Sequence, residues 1–379
     1  MRNSNFADDQ EQPPALYTDH QDPTYFHDAS GGRRLIETLQ EWQIRRARIL
    51  DGLQLAMGPL PGNEKRVPLD VRQQEQVTLE GGLVRRKIDY QTEPGDRVSA
   101  YLFLPPARPR QNDSDKRDAE KGDSEKRDSE KRDSEKSSAA RRPAVLCLHQ
   151  TVQIGKQEPA GMGGNPNLHY ALHLAQRGYV TLAPDYPSFG EHNFDFANAK
   201  FGYQSGTMKA IWDNIRAVDF LESLAEVDRE RLGCIGHSLG GHNTLFTAAF
   251  EPRLKVLVSN CGFTRFHKYY NGKLAGWTSA RYMPLIASRY GNDPERVPFD
   301  FPEIVALLAP RPFLASSPVG DSNFEVSGVR DTIAAAQPIY DLHGKSRHLQ
   351  ANYPDCEHDF PLAVREVAYR FFDQHLRGS

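Results

Sequence analysis

Cysteine is scarce in this chain: 379 residues hold four, Cys147, Cys234, Cys261 and Cys356. They lie far apart, three of them in or beside apolar runs, so buried free thiols are expected rather than a disulfide framework, and no zinc-ligand spacing exists. Long apolar runs are missing too. No stretch reaches the ~20 residues of a membrane span, and the opening "MRNSNFADDQEQPPALYTDHQDP" is polar and acidic where a secretory signal needs a basic start and an apolar stretch. These absences predict a cytoplasmic protein with no membrane partner. An excess of one charge is also lacking, since 47 basic and 50 acidic side chains leave a net charge of -3. That excludes the strongly basic surface of a general nucleic-acid binder, and a small-molecule substrate is the expected partner. What is present is 38% hydrophobic and 10% aromatic content, enough to fill a sizeable core.

The pattern along the chain divides it into an N-terminal arm and helix, residues 1–75, and a main domain, residues 76–379. Residues 1–28 carry Asp, Gln and Pro without periodicity and read as an extended or poorly ordered arm. From Arg34 to Leu55, apolar residues at Leu35, Leu39, Trp42, Ala47, Ile49, Leu50 and Leu53 fall at helical spacing before "GPLPG" stops the helix. The segment "GGLVRRKIDYQTEPGDRVSAYLFLPP" predicts two strands around a turn at Glu93 to Asp96. Between residues 108 and 142 a five-residue repeat, DSDKR, DAEKG, DSEKR, DSEKR, DSEK, has almost nothing apolar to bury and reads as a solvated, disordered insert. Strand-like runs then alternate with helix-like ones: 143–149, 179–184, 231–236, 254–260, 312–317 and 348–353. Short buried strands with long connections predict a mostly parallel sheet covered by helices on both faces. Right-handed crossovers put the strand carboxyl ends on one edge, where ligands bind.

The polar residues that follow strand ends are therefore the candidates for chemistry. In "RLGCIGHSLGGHNTLFTAAF" the pentapeptide Gly236-His237-Ser238-Leu239-Gly240 has a strand before it and a helix after it, the setting in which a G-x-S-x-G turn exposes a serine hydroxyl. A bland alternative is a glycine-rich turn with a serine N-cap. A serine attacks only if a base takes its proton, and the base needs an acid to orient its ring. His358, in "NYPDCEHDFP" between the last strand and the final helix (Leu362 to Leu376), is the expected base, with His343 and His348 as competitors. Asp321, in "PFLASSPVGDSNF", follows the preceding strand and is the expected acid. Asp331 is the runner-up, while Asp355 and Asp359 lie too close to His358 in sequence to orient its ring. The Leu239 amide is the expected first donor to the oxyanion.

With "LCLHQTVQIGKQEPAG", "YVTLAPDYPSFGEH", "GCIGHSLGGHN", "RYMPLIASRYG", "PFDFPEIVALLAPRPFLASSPVGDSNFEVSGV" and "EHDFP", the chain resembles the α/β-hydrolase superfamily. Within it, the dienelactone-hydrolase-like and acetyl-xylan-esterase-like bacterial carboxylesterases are the nearer likeness. The resemblance implies an α/β-hydrolase fold with a mostly parallel eight-stranded sheet, and ester hydrolysis through an acyl-enzyme with no metal or organic cofactor. It also implies a second oxyanion amide from His149-Gln150-Thr151, which stands where such enzymes carry His-Gly-X; Thr151 is first by position and Gln150 next, Gln150 being a departure from glycine. The prolyl-oligopeptidase branch shares this catalytic domain, so a peptidase of that type and an inactive binding protein are the alternatives. For the substrate side, a lid-like insert at residues 263–311 offers Tyr269, Tyr270, Trp277, Arg281 and Tyr282, an aromatic density more often found in lid core. Tyr186 and Glu191, after another strand end, are further candidates to border the site.

Overall fold

The computed structural model describes residues 17–106 and 141–377. The charged repeat and the first part of the arm lie outside the described residues. From Tyr17 onward the arm packs on the main body. Strands β1 (Tyr25–His27) and β2 (Arg33–Leu35) pair antiparallel, and Tyr17, His20, Tyr25 and Phe26 are buried. Their anchor is Arg45 on helix α1 (Leu39–Met57). Its guanidinium stacks 3.6 Å from the Tyr17 ring centroid and 4.8 Å from that of Tyr25 and pairs with Glu303 at 2.5 Å. Periodicity cannot reveal this contact, because its partner lies 258 residues away. Helix α1 starts five residues later than its periodicity suggests, at a capping box in which Thr38 Oγ1 accepts from the Glu41 amide and the Glu41 carboxylate accepts from the Thr38 amide.

Among the described residues the main sheet contains nine strands where eight were expected. In chain order they are β3 (Arg72–Thr78), β4 (Val84–Glu93), β5 (Asp96–Leu104), β6 (Arg142–Leu148), β7 (Val180–Pro184), β8 (Val227–His237), β9 (Leu254–Asn260), β10 (Phe313–Ser316) and β11 (Leu349–Asn352). Their spatial order is β11-β10-β9-β8-β6-β7-β5-β4-β3. The six strands from β11 to β7 run parallel, and β5, β4 and β3 continue antiparallel as an edge. The additional strand is β3, "RQQEQVT", whose residues are exposed or half-buried. A polar edge strand buries too little to leave an alternating signal, and its charge protects the edge from further pairing. The expected boundary at residue 75 falls inside β3, so the N-terminal segment and the main domain share this sheet.

Both faces of the sheet are covered. On one face lie α1, α3 (Gly206–Ser223), α4 (Leu239–Phe250), α6 (Phe301–Leu307) and α7 (Val326–Leu342); on the other lie α2 (Tyr170–Gln176) and α8 (Leu362–Phe372). The remaining helix, α5 (Leu285–Ser288), is a single turn in the connection between β9 and β10. The central strands read as continuous apolar runs because both sides are buried, as in "PAVLCL" of β6. Helix α4 is buried at every position but its last, which explains why "LGGHNTLFTAA" carries small and apolar residues all round rather than one stripe. Among the described residues no helix is long and apolar enough to cross a membrane.

Candidate active site

Ser238 sits between β8 and α4 with φ 54° and ψ -116°, a conformation that non-glycine residues seldom adopt. The strain is held by close packing on either side. A Cβ at Gly236 would lie 2.1 Å from the Gly240 backbone, and one at Gly240 would lie 1.9 Å from the Leu148 carbonyl oxygen. Both glycines are therefore needed for β6, the turn and α4 to approach each other. The Leu148 carbonyl also accepts the Tyr170 hydroxyl, and the Ser238 amide donates to Asn260 O at 2.9 Å, tying the turn to the end of β9.

The loop after β11 brings His358 into the same cleft as Ser238. His358 Nδ1 lies 2.9 Å from both carboxylate oxygens of Asp321, which follows β10. Asp321 Oδ1 also accepts the amides of Asn323 (2.8 Å) and Phe324 (3.1 Å), so the acid is fixed before the histidine meets it. The competing residues are engaged elsewhere. Asp331 pairs with Arg265, Asp359 accepts from Asn165 and Asn167, and His348 meets Pro310 O.

Gln150, Thr151 and Leu239 line the cleft beside Ser238. The loop that carries the first two is braced by His149: its Nδ1 donates to Gln150 O at 2.6 Å and its Nε2 accepts the Tyr186 amide at 2.9 Å. Burial holds this imidazole below its ordinary pKa, consistent with a neutral ring in one tautomer. The Gln150 side chain turns away to Glu158 (2.9 Å), which is how glutamine is accommodated where glycine is usual. Trp277 and Tyr282 also line the cleft, with Tyr269, Gly276, His242, Asn323 and Phe324, around a volume of about 250 Å³. Thr151 Oγ1 and the Tyr282 hydroxyl are 2.8 Å apart across its mouth.

Three other candidates are placed elsewhere. Tyr186 is buried against Phe189 and Leu239, with its hydroxyl spent on Arg281 O at 2.6 Å. Arg281 lays its guanidinium 4.3 Å from the Phe189 ring centroid and does not line the cleft. Glu191 belongs to an ion cluster: Lys156, itself buried, meets Asp185 at 2.6 Å and Glu191 at 2.9 Å, and Lys87 meets Glu191 at 2.6 Å. Although burial opposes it, hydrogen bonding from Lys87, Lys156 and Ser99 draws the Glu191 carboxyl down to about 2. Long-range partners decide these fates, and the local sequence carries no trace of them.

Sequence reasoning passed over the histidines flanking the turn. His237 packs its ring 4.8 Å from that of His358 and is hydrogen-bonded to Asn260 Nδ2 at 2.7 Å; burial, then the nearby His358, holds it far below its ordinary pKa. His242, one turn into α4, is pushed down to about 3 by burial, against a bond to Gly262 O. Its folded pKa lies below its unfolded value of about 6.5, so the stability it contributes is complete above that value and lost as pH falls toward 3. Between pH 6.5 and pH 5 the loss traceable to this residue is about 1.5 kcal/mol. Urea unfolding at the two pH values should show that increment in the wild type and not in His242→Gln; equal pH dependence in both would reject the assignment.

Ligand atoms of Cys261, Asp321 and His358 lie within 4.8 Å of one another, as do those of Asp96, His192 and Asp213. In the first set Asp321 and His358 already satisfy each other, and burial pushes the Cys261 thiol well above its usual range, which disfavours the thiolate a metal would need.

Residues 167–379, more than half of the chain, match the family model described as the prolyl oligopeptidase family. YtaP of Bacillus subtilis (strain 168) is 28% identical over 211 residues, covering 54% of this chain and 67% of that protein. The 4-O-methyl-glucuronoyl methylesterase 1 of Wolfiporia cocos (strain MD-104) is 27% identical over 189 residues, 44% of this chain and 45% of its own length. The match thus spans two thirds of the first relative and less than half of the second. Among solved structures, the glucuronoyl esterase from Solibacter usitatus superimposes with a TM-score of 0.64 at 17% identity, over 93% of this chain and 97% of that one. That likeness establishes the α/β-hydrolase fold.

Proposed function

The chain belongs to the prolyl oligopeptidase family, and from that premise we propose that it is a serine esterase acting on a small, uncharged carboxylic ester, with a carbohydrate ester as the favoured class. The observation that carries the reading is the convergence of Ser238 and His358 on one cleft, with His358 Nδ1 2.9 Å from both oxygens of Asp321. In this reading Ser238 Oγ attacks the ester carbonyl while His358 Nε2 takes its proton. Asp321 holds the ring by its Nδ1–H and supports the imidazolium that forms. The tetrahedral oxyanion is held by the Leu239 amide at the start of α4 and by the Thr151 amide, with Gln150 next, each worth roughly 3 kcal/mol. Collapse expels the alcohol, which leaves with the proton from His358. Water then gives a proton to His358 and attacks the acyl-serine; collapse breaks the bond between the acyl carbon and Ser238 Oγ, His358 returns the proton to Ser238, and the acid leaves.

The uncharged substrate is supported by the lining, which among the described residues offers aromatic rings, hydroxyls and amides and, apart from His358 and His242, no ionisable group other than tyrosine. The similarity to proteins named as glucuronoyl and carbohydrate esterases supports the carbohydrate class. The second reading, suggested by the family name, is a serine peptidase of prolyl-oligopeptidase type acting on short peptides; the similarity to proteins named as esterases favours the ester. Comparing 4-nitrophenyl acetate with a prolyl 4-nitroanilide tests the choice: turnover of the ester alone is expected, and faster cleavage of the anilide would reverse it.

Asp321→Asn is expected to lower kcat on the order of 10⁴-fold with little change in KM, because the amide presents the wrong partner to His358 Nδ1. A rate within tenfold of wild type would assign Asp321 a structural role.

A further inference from the structure

His242 is the fourth residue after Ser238, and its amide donates to Ser238 O at 3.1 Å. The His242 side chain lines the same cleft as Ser238. Its two nitrogens are in different states. Nδ1 is 3.1 Å from the Gly262 carbonyl, which can only accept, so Nδ1 carries the hydrogen. Nε2 is then a bare lone pair, and it has no partner among the described residues. Trp277 packs against the same ring, with centroids 4.7 Å apart, and Tyr269 and Phe324 complete an aromatic wall.

We propose that His242 is the specificity residue of this cleft: its Nε2 accepts a hydrogen bond from a hydroxyl of the bound ester, so that hydroxylated, sugar-type esters are selected over hydroxyl-free ones. The proposal rests on the serine-esterase reading and deepens it. A neutral donor fits better than an ammonium group, because among the described residues no carboxylate lines the cleft to balance a positive charge. A sugar ring also presents an apolar C–H face to an aromatic wall while directing hydroxyls to its rim. The lone pair is available across the ordinary pH range, since burial holds the ring's pKa down to about 3. A polar site of this kind discriminates mainly against ligands that cover the acceptor without pairing it.

The test uses the full chain and two matched methyl esters, that of glucuronic acid and that of tetrahydropyran-2-carboxylic acid, which lacks the ring hydroxyls. The reading is the ratio of their kcat/KM values within each protein. Wild type should favour the hydroxylated ester, His242→Phe should reduce the ratio about 10- to 100-fold, and His242→Gln, whose amide oxygen can accept, should restore part of it. A ratio unchanged in His242→Phe, or no preference in the wild type, would overturn the proposal while leaving the esterase reading intact. Wild type silent toward both esters and toward 4-nitrophenyl acetate would reject the esterase reading, and this proposal with it.

Discussion

Alanine in place of Ser238 is expected to abolish ester hydrolysis, lowering kcat on the order of 10⁶-fold. The magnitude follows from what the substitution removes. Without the hydroxyl there is no acyl-enzyme, and the remaining oxyanion amides and His358 can only orient water, which leaves a residual rate of about 10³–10⁴ over the uncatalysed reaction. The backbone at 238 already holds φ 54°, which alanine adopts no less readily than serine, so the fold should survive. Three measurements check this together: turnover of 4-nitrophenyl acetate and longer-chain esters, covalent labelling by a fluorophosphonate, and the unfolding midpoint. Equal turnover in wild type and variant would reduce Ser238 to a turn residue. Loss of activity accompanied by a lowered midpoint would leave the chemical role unproven.

The second large effect concerns stability. Lys209 on α3 is fully buried, with its Nζ bonded to the carboxylates of Asp96 and Asp213 and 3.1 Å from Glu93 Oε1. His192 adds contacts of 3.2 Å to both oxygens of Asp96, and Lys65 meets Glu93 at 2.8 Å. This cluster fastens α3 to the turn between β4 and β5. Burial works against the ammonium charge, but Asp213, Asp96 and Glu93 outweigh it and hold Lys209 above the usual lysine range. Burial pushes Asp213 up to about 6 despite Lys209 and His192.

Lys209→Met leaves the carboxylates in a dry interior, and the cost at pH 7.5 should be about 3–5 kcal/mol. The sign of the pH effect follows. A carboxyl with a folded pKa above its unfolded value of about 3.9 binds more protons in the folded state over that interval, so its contribution falls as pH rises from 3.9 to about 6. The deficit of the variant should accordingly shrink at pH 5, where Asp213 keeps its proton. Adding Asp213→Asn should recover part of it at pH 7.5, by more than 0.5 kcal/mol beyond additivity. Urea unfolding of the four proteins at both pH values reads this, and strict additivity would show that the cluster does not act as a unit.

Much of the fold is legible in the chain because its signals are local. The two-face burial of "PAVLCL" and "VLV" leaves unbroken apolar runs, and the turn at Glu93 to Asp96 interrupts a strand pattern where the structure places it. The ninth strand, β3, left no such trace, since an exposed edge has no buried face to enforce alternation. The packing of the arm was hidden for a related reason: Tyr17 and Tyr25 are held by Arg45 and thence by Glu303, a chain of contacts spanning most of the sequence.

The sequence by itself determined the glycine-flanked serine turn and the order in which serine, acid and histidine follow successive strand ends, because in a parallel sheet every strand end lies on one edge. Only the tertiary structure decided which neighbouring polar residues face that edge. It turned His242, Trp277 and Tyr282 into the cleft, spent Tyr186 on a backbone carbonyl and folded Glu191 into an ion cluster. Those outcomes depend on partners brought together by packing and on the cost of leaving a buried polar group unpaired, neither of which is a property of neighbouring residues in the chain.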